Sequence, residues 1–257
     1  MDYGLKGKVA LVTGTASQVG IGKGICLTLA KEGCDIVSTD INLEGAKQTA
    51  DAVKALGRKC IAFKVDVTKG ADVDAMVKAA LKEFGKIDIL VNNAGGNMIM
   101  GTPFLEQNSD MWNKDMALNL YGTMNCSKAV VPGMVERKYG KIINFSSIVA
   151  KWSLGGPGSY AASKAAVLAF TRGLASQFGP SNINVNAIAP GMVNTNFFGA
   201  LPGNVQTAMF AEVAGMAPLK RNQEASDIAN AVAFLSSDVS RNITGQCIQV
   251  DSGLVMF

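Results

Sequence analysis

Short apolar runs rich in β-branched residues alternate along the chain with longer stretches in which apolar residues recur every three or four positions. The runs are Lys8–Thr13, Asp35–Asp40, Cys60–Val65, Ile87–Val91, Lys141–Phe145, Asn182–Ile188 and Gln246–Val250. Segments apolar at nearly every position read as strands buried on both faces, as in parallel sheets. The helical period predicts a helix ending at Gly33, then helices over Leu43–Leu56, about Ala71–Phe84, Asp110–Arg137, Tyr160–Phe178 and Ala225–Leu235. Met192–Met216 is apolar but irregular. Strand–helix alternation predicts an α/β fold, a doubly wound parallel sheet with helices on both faces. No linker, repeat or low-complexity tract interrupts it, so residues 1–257 read as a single domain.

The first strand runs into Gly14, and Gly20, Gly22 and Gly24 follow before the first helix. The second strand ends on an acid, Asp40, 20 residues after Gly20. Strand, Gly-rich turn, helix, strand and terminal acid form the dinucleotide-binding layout of a Rossmann fold. Glycines let the backbone approach a pyrophosphate at a helix N-terminus, where amides and the dipole favour anions. A tight strand–helix turn with no ligand would share the glycines but does not need the placed acid. Asp40 can accept bonds from ribose hydroxyls and would repel a 2′-phosphate. No Arg or Lys stands in 14–22 or just after Asp40, which favours NAD over NADP as cofactor. Ligands of such sheets bind beyond the carboxyl ends of the strands. Gly14, Asp40, Asp66 and Asn92–Gly95 all fall there.

Composition narrows the chemistry. Hydrophobic residues make up 48% and charged residues 17% of 257, enough for a sizeable core. No apolar run approaches the ~18–20 residues of a membrane span, so no membrane association is expected. The polar lead into the first strand lacks a signal-peptide layout, which points to the cytoplasm. The five cysteines are scattered with no CxxC pair, and read as small core residues in a reducing compartment. A net charge of +4 is spread along the chain with no basic stripe, so no nucleic-acid partner is expected. There is no histidine. That removes Ser-His-Asp and Cys-His nucleophilic sites, His-ligated metals and His bases, and no metal site is expected. Proton chemistry must come from Tyr, Lys, Asp, Glu or Cys.

Ser159–Lys164 reads SYAASK. On a helix, Tyr160 and Lys164 are one turn apart on one face. An ammonium beside a phenol favours the phenolate and lowers its pKa from ~10, making a general acid/base. Alone the pattern is weak, since a half-buried tyrosine and a solvated lysine produce it more often. Asn119 sits in mid-helix, where an asparagine needs a hydrogen-bonding reason, and Ser146–Ser147 stand at the end of a strand.

Taken in order, the Thr13–Gly22 turn, Asp66–Val67, Asn92-Asn93-Ala94-Gly95, Asn119, Ser147, Tyr160-x-x-x-Lys164, Pro190-Gly191 with Thr195, and Ile243-Thr244-Gly245 resemble the short-chain dehydrogenase/reductase family over essentially the whole chain. Ser147 precedes Tyr160 by 13 residues and Asn119 precedes Ser147 by 28, the family's usual intervals. The resemblance implies hydride transfer between a nicotinamide and an alcohol/carbonyl pair. It implies Tyr160 as proton donor or acceptor, Lys164 on the nicotinamide ribose, and Ser147 on the substrate oxygen. Asn119 would hold a backbone carbonyl and a water linking Lys164 to solvent. Cofactor contacts are implied at Gly14, Ser17, Gln18, Gly20, Ile21, Gly22, Asp40, Asp66, Val67, Asn93, Ala94, Gly95, Tyr160, Lys164, Pro190, Gly191, Val193 and Thr195. A homotetramer is implied, or a dimer, with Asp110–Arg137 and Tyr160–Phe178 in an interface.

The chain departs from the family at two places. Five residues, Thr15–Val19, separate Gly14 from Gly20 where three are usual, leaving open which of Thr15, Ser17 and Gln18 meets phosphate. A longer turn resembles the enoyl-acyl-carrier-protein reductase branch, but that branch spaces its Tyr and Lys by seven. Asp251-Ser252-Gly253 replaces the usual Asp-Gly-Gly.

The loops Gly96–Phe104, Ala150–Ser159 and Met192–Met216 (a substrate loop at about 192–217) should line the substrate pocket. They bring Met98, Ile99, Met100, Trp152, Leu154, Met192, Phe197, Phe198, Met209 and Phe210. A small-molecule substrate that is bulky or apolar is expected, such as a hydroxyacyl thioester or a cyclic alcohol. Alternatives are NADPH-dependent 3-oxoacyl-thioester reduction, or a non-catalytic subunit that keeps the fold.

Overall fold

The computed structural model describes residues 2–152, 158–199 and 202–256. Strands β1 (Val9–Thr13), β2 (Asp35–Asp40), β3 (Cys60–Lys64), β4 (Ile89–Asn92), β5 (Gly140–Phe145), β6 (Ile183–Pro190) and β7 (Cys247–Val250) form one sheet. All its pairings are parallel, in the order β3-β2-β1-β4-β5-β6-β7. The order reverses between β1 and β4, and that is where a crevice opens beyond the strand ends.

The helices are α1 (Ile21–Lys31), α2 (Leu43–Lys54), α3 (Gly70–Phe84), α4 (Ser109–Met116), α5 (Gly122–Arg137), α6 (Ser159–Phe178), α7 (Gly203–Met216) and α8 (Ala225–Ser236). Two cores lie on the two faces of the sheet. One joins Ile25 and Leu29 of α1, Val53 of α2, and Ile228 and Val232 of α8 to Ala10, Val12 and Val91. The other joins Val73 and Val77 of α3, Val130 and Met134 of α5, and Ala175 of α6 to Leu11, Leu90 and Val185. Because β1 and β4 are covered on both sides, every position along them is buried. Among the described residues, no helix is long and apolar enough to cross a membrane.

Three details differ from the sequence pattern. The expected single helix Asp110–Arg137 is interrupted at Ala117–Tyr121 by a π-helical turn with Asn119 buried inside it. The register slips there, so Gly122 N donates to Ala117 O five residues back. The apolar but irregular stretch Met192–Met216 contains a regular helix, α7. Its apolar residues point to several sides and only Val213 is buried, so no helical stripe marks it. Ser252, in place of the usual glycine, takes φ 60, a conformation glycine adopts without strain. Its hydroxyl accepts a 2.7 Å bond from Gln223 Nε2, which a glycine could not.

The lengthened Gly-rich turn is folded back on α2. Asp40 Oδ2 accepts from Ala16 N at 2.9 Å. Thr49 Oγ1 donates to Thr15 O at 2.7 Å, and Thr15 Oγ1 lies 2.7 Å from Ser38 Oγ. Gln18 Nε2 donates to Ala16 O and to Gly45 O. A Cβ on Gly45 would lie 2.5 Å from Ala16 O and 2.6 Å from Ala16 Cβ. The extra residues thus dock at a glycine. Gly45→Ala should displace the turn and cost on the order of 1–3 kcal/mol. At roughly 2–4 °C per kcal/mol for a chain of this size, we expect the melting temperature to fall by about 2–12 °C in scanning calorimetry. An unchanged value would show that the turn is not held by this contact.

Candidate active site

The crevice beyond β1, β4, β5 and β6 is a cleft of 710 Å³. Gly14, Ser17, Gly20, Ile21 and Gly22 line one end, Asn93 and Gly95 the floor, Ser147, Tyr160 and Lys164 the middle, and Pro190, Gly191, Val193 and Thr195 the far side. Its floor depends on close backbone approach. A Cβ on Gly22 would lie 2.1 Å from Gly14 O, and one on Gly14 2.9 Å from Ala94 Cα. Asn93 Nδ2 donates to Thr13 O and Gly14 O at 2.8 and 2.9 Å, and Thr13 Oγ1 accepts from Ala94 N. These bonds sew the end of β4 to the start of the glycine turn. Gly24 packs instead against Ala225 of α8 and serves helix contact.

Lys164 is 4% exposed. Its ammonium donates to Phe145 O at 2.9 Å and lies 5.8 Å from the Tyr160 ring centre. A Cβ on Gly95 would come within 2.7 Å of Asn119 Oδ1 and 2.9 Å of Lys164 Nζ. Asn119 is fully buried and clamps both polar groups of Gly96, accepting from its N–H at 3.0 Å and donating to its carbonyl at 2.8 Å. Asn119 Nδ2 also donates to Asp115 O at 3.0 Å. Asn119 O in turn accepts from Thr123 Oγ1 at 2.8 Å. From Thr123 a buried polar chain continues through Ser127 and Asn92 to Asn144 and Thr171, holding α5 and α6 to the sheet.

Desolvation dominates the electrostatics of the Tyr160–Lys164 pair. Burial pushes Tyr160 up to about 12; a hydrogen bond with Ser147 acts the other way, and the Asp115 charge raises it further. Burial brings Lys164 down to about 8, opposed by Asp115. Desolvation of the charged form is the largest cause for both groups, and the ammonium is directed to Phe145 O.

Other sequence-chosen residues lie off the cleft. Gln18 spends its amide on Ala16 O and Gly45 O, and its oxygen accepts from Lys23 Nζ at 2.8 Å. Asp40 accepts from Ala16 N and Asn42 N, which leaves acceptor positions on its two oxygens. Asp66 accepts from Thr68 N and Oγ1, which together with Lys69 lower its pKa despite some burial. Val67 packs against Gly122. Met100, Met192, Phe197, Phe198 and Met209 line the cleft. The Tyr160, Phe197, Phe198 and Phe210 rings follow one another at 5.0 to 6.1 Å between centres. Leu154 lies outside the described residues.

Sequence reasoning missed Asp115, Asn97 and Glu212. Asp115 is fully buried, and its Oδ2 accepts from Ser159 Oγ at 2.6 Å. It precedes Asn119 by one helical turn, a spacing that could have flagged it. Asn97 and Glu212 line the cleft from a loop and from α7, with no local signal. Among the described residues, no group of three or more His, Cys, Asp or Glu is placed to hold a metal ion.

Residues 14–255 match the profile of a family described as enoyl-(acyl carrier protein) reductase. The chain is 39% identical over 256 residues to 3-oxoacyl-(acyl-carrier-protein) reductase FabG of Staphylococcus epidermidis, covering 97% of this chain and 99% of that protein. It is 38% identical over 256 residues to the (2S)-((R)-hydroxy(phenyl)methyl)succinyl-CoA dehydrogenase subunit BbsD of Thauera aromatica, covering 99% of each. The crystal structure of carveol dehydrogenase from Mycobacterium avium in complex with NAD superposes with a TM-score of 0.89 at 33% identity, over 97% of this chain and 98% of that one.

The buried ammonium has a stability signature. Lys164 sits at about 8 in the folded protein against an ordinary 10.5. The unfolded chain therefore binds the proton more tightly between these values, and stability gains from this group as pH rises through them. At neutral pH its burial opposes folding. Lys164→Met should melt at or above the wild-type temperature at pH 7, and its advantage should shrink between pH 8 and 10.5. Melting curves across that range check it; a constant difference would show that Lys164 is not held low.

Proposed function

The chain belongs to the short-chain dehydrogenase/reductase family, oxidoreductases acting on hydroxyl and keto groups, and on that premise we propose that it moves a hydride between NAD(H) and a secondary alcohol or ketone on a bulky, largely apolar substrate. A hydroxyacyl thioester or a cyclic alcohol fits that description. The observation that carries the reading is that Ser147, Tyr160 and Lys164 line one cleft with the glycine turn and with Met100, Met192, Phe197 and Phe198. The spacing of Tyr160 and Lys164, one helical turn, supports alcohol/carbonyl chemistry over enoyl reduction.

The glycines fit a dinucleotide, since a Cβ at Gly14 or Gly22 would collide with the floor of its cleft. Gly14, Gly20, Ile21 and Gly22 would hold the pyrophosphate at the N-terminus of α1, with Ser17 the turn residue in reach. Asp40 would take the adenosine ribose, with Asp66, Val67 and Ala94 around the base. Asn93, Gly95, Pro190, Gly191, Val193 and Thr195 would border the nicotinamide half. When bound, the nicotinamide supplies the hydride acceptor or donor. Tyr160 takes the alcohol proton during oxidation and returns it to the carbonyl oxygen during reduction. Ser147 donates to that oxygen as charge develops on it. Lys164 holds the ribose, and its ammonium supports the phenolate once cofactor and substrate replace water around the pair. Asn119 keeps Gly95 and Gly96 where the ammonium needs them. This intact set supports an enzyme over a non-catalytic subunit.

A specific relationship favours a second reading, NADPH-dependent reduction of a 3-oxoacyl thioester, because the FabG relative is named for 3-oxoacyl reduction. Lys23 of α1, bonded to Gln18 of the turn, and Lys64, in register with Asp40, are cations on that side of the sheet. Asp40 and the NAD-bound carveol dehydrogenase support NAD. We further propose a cytoplasmic homotetramer built on α4–α5 and α6, supported by the exposed Tyr121 and Met124. A mass measurement in solution tests it.

Tyr160→Phe should leave the fold intact and lower kcat roughly 10²–10⁴-fold. The assay is absorbance at 340 nm with 3-hydroxyacyl-CoA thioesters and cyclic alcohols. Near wild-type turnover would remove Tyr160 from the chemistry. Titrations with NADH and NADPH separate the two readings, and tighter NADPH binding would overturn the assignment to NAD.

A further inference from the structure

Asp115 is a carboxylate with no exposure, in a helix that contributes no other buried residue, and no cation is paired with it within the ion-pair distances among the described residues. A buried carboxylate without a partner is strongly disfavoured, so its hydrogen bonds must do the stabilising. They reach two separate pieces of the cleft. Oδ1 accepts from Met98 N at 2.8 Å, in the loop that brings Asn97, Met100 and Gly101 to the wall. Oδ2 accepts from Ser159 Oγ at 2.6 Å. Ser159 is the first residue of α6 and the immediate neighbour of Tyr160, so the carboxylate also sits at the positive end of a 20-residue helix. One turn along its own chain, Asp115 O accepts from Asn119 Nδ2 at 3.0 Å.

We infer that Asp115 is a positioning residue for the reaction, tying the cleft loop at Met98 to the first turn of α6 and so fixing Tyr160 against the wall where substrate lies. The inference rests on the reading of Tyr160 as the acid/base. Gly158, which precedes this turn, makes no side-chain cap, and α6 has no acidic residue in its first turn. Asp115 supplies from α4 the anion that the helix start lacks in its own sequence. An apolar residue there would leave the Met98 amide and the Ser159 hydroxyl to find other partners, and the loop and the tyrosine would lose their common anchor.

The carboxylate also brings a fixed negative charge. The titratable groups that face it are Tyr160 and Lys164, both on α6, and it raises the pKa of each. On its own helix, Asp110 and Lys114 are exposed to solvent. Across the cleft, Glu212 of α7 lines the opposite wall. Removing the Asp115 charge therefore lowers both pKa values, and the pH at which the base becomes available in alcohol oxidation falls with them.

Three variants separate the anchor from the charge. Asp115→Asn keeps an acceptor for Met98 N and lets its amide donate to Ser159 Oγ, so geometry survives while the charge goes. Ser159→Ala keeps the charge and cuts one tie. Asp115→Ala removes both. The measurement is kcat against pH for oxidation of the best substrate among 3-hydroxyacyl-CoA thioesters and cyclic alcohols, with NAD affinity from fluorescence titration. For Asp115→Asn we expect the rising limb to move to lower pH by about one unit. For Ser159→Ala and Asp115→Ala we expect kcat to fall about tenfold with NAD affinity changed less than twofold, and the limb to move only in Asp115→Ala. Wild-type kcat and an unmoved limb in Asp115→Asn and Ser159→Ala overturn the inference, even if Asp115→Ala fails to fold. Tyr160→Phe in the same assay is the control. If it turns over normally, the reading of the site has failed; if it is inactive while the Asp115 and Ser159 variants behave as wild type, only the positioning role has.

Discussion

A buried ammonium imposes the tightest requirement on this structure. Lys164 is almost fully enclosed and donates to the Phe145 carbonyl at the end of β5. Such a charge is tolerated only where the surroundings supply acceptors and no group crowds it. Residue 95 must lack a side chain, because a Cβ there would meet Nζ at 2.9 Å. Asn119, within the π-helical turn Ala117–Tyr121, holds the Gly96 backbone and so keeps that approach. Ser146, next in sequence to Phe145, donates to Lys164 O and ties the helix backbone to the same strand end.

The sheet makes this possible at one place. At the reversal of strand order, β1 and β4 end side by side with helices leaving to opposite faces, and the backbone groups at their tips face a crevice rather than a partner strand. Asn93 and Thr13 close that junction with side-chain bonds to backbone. The polar chain from Thr123 to Thr171 does the same one layer deeper, between the sheet and α5–α6. In a dry interior these bonds favour one arrangement, since a slip would strand their donors, although Asn92 Oδ1 is itself buried without a partner. The cleft therefore has rigid walls on the β1–β5 side. Opposite them, α7 buries only Val213 and carries Met209, Glu212 and Met216 to the cleft. Fewer buried contacts there leave that wall more adaptable.

The strands and most helices were legible because their periodicities are strong. Asp35–Asp40 coincides with β2, and the other strands differ by a residue or two at their ends. What escaped was decided by contacts between distant parts of the chain. The apolar residues of α7 are spread around the helix, which hides it from a reading by face. The two added turn residues were visible as an insertion, but not their docking at Gly45, a contact across 29 positions. Of the five scattered cysteines, Cys26, Cys34, Cys60 and Cys126 are buried as expected, whereas Cys247 on the edge strand is only half-buried. The pairing of Tyr160 with Lys164 is a matter of helical spacing. The balance between that pairing and desolvation depends on what surrounds both groups, and the surroundings come from β5, α4 and the loop after β4.

The sequence by itself determined the alternation of strands and helices, the glycine turn, the absence of histidine chemistry and the order of Asn119, Ser147, Tyr160 and Lys164. Each is a local property: a periodicity, a composition or a spacing within a few turns. Only the tertiary structure decided that Asp115, from a helix packed against α6, anchors the turn that carries Tyr160, and that burial holds the phenol high and the ammonium low. Those outcomes depend on dielectric and on hydrogen-bond partners supplied from 17 to 44 residues away. Desolvation is a property of the packed site, and no residue carries it in its own letter.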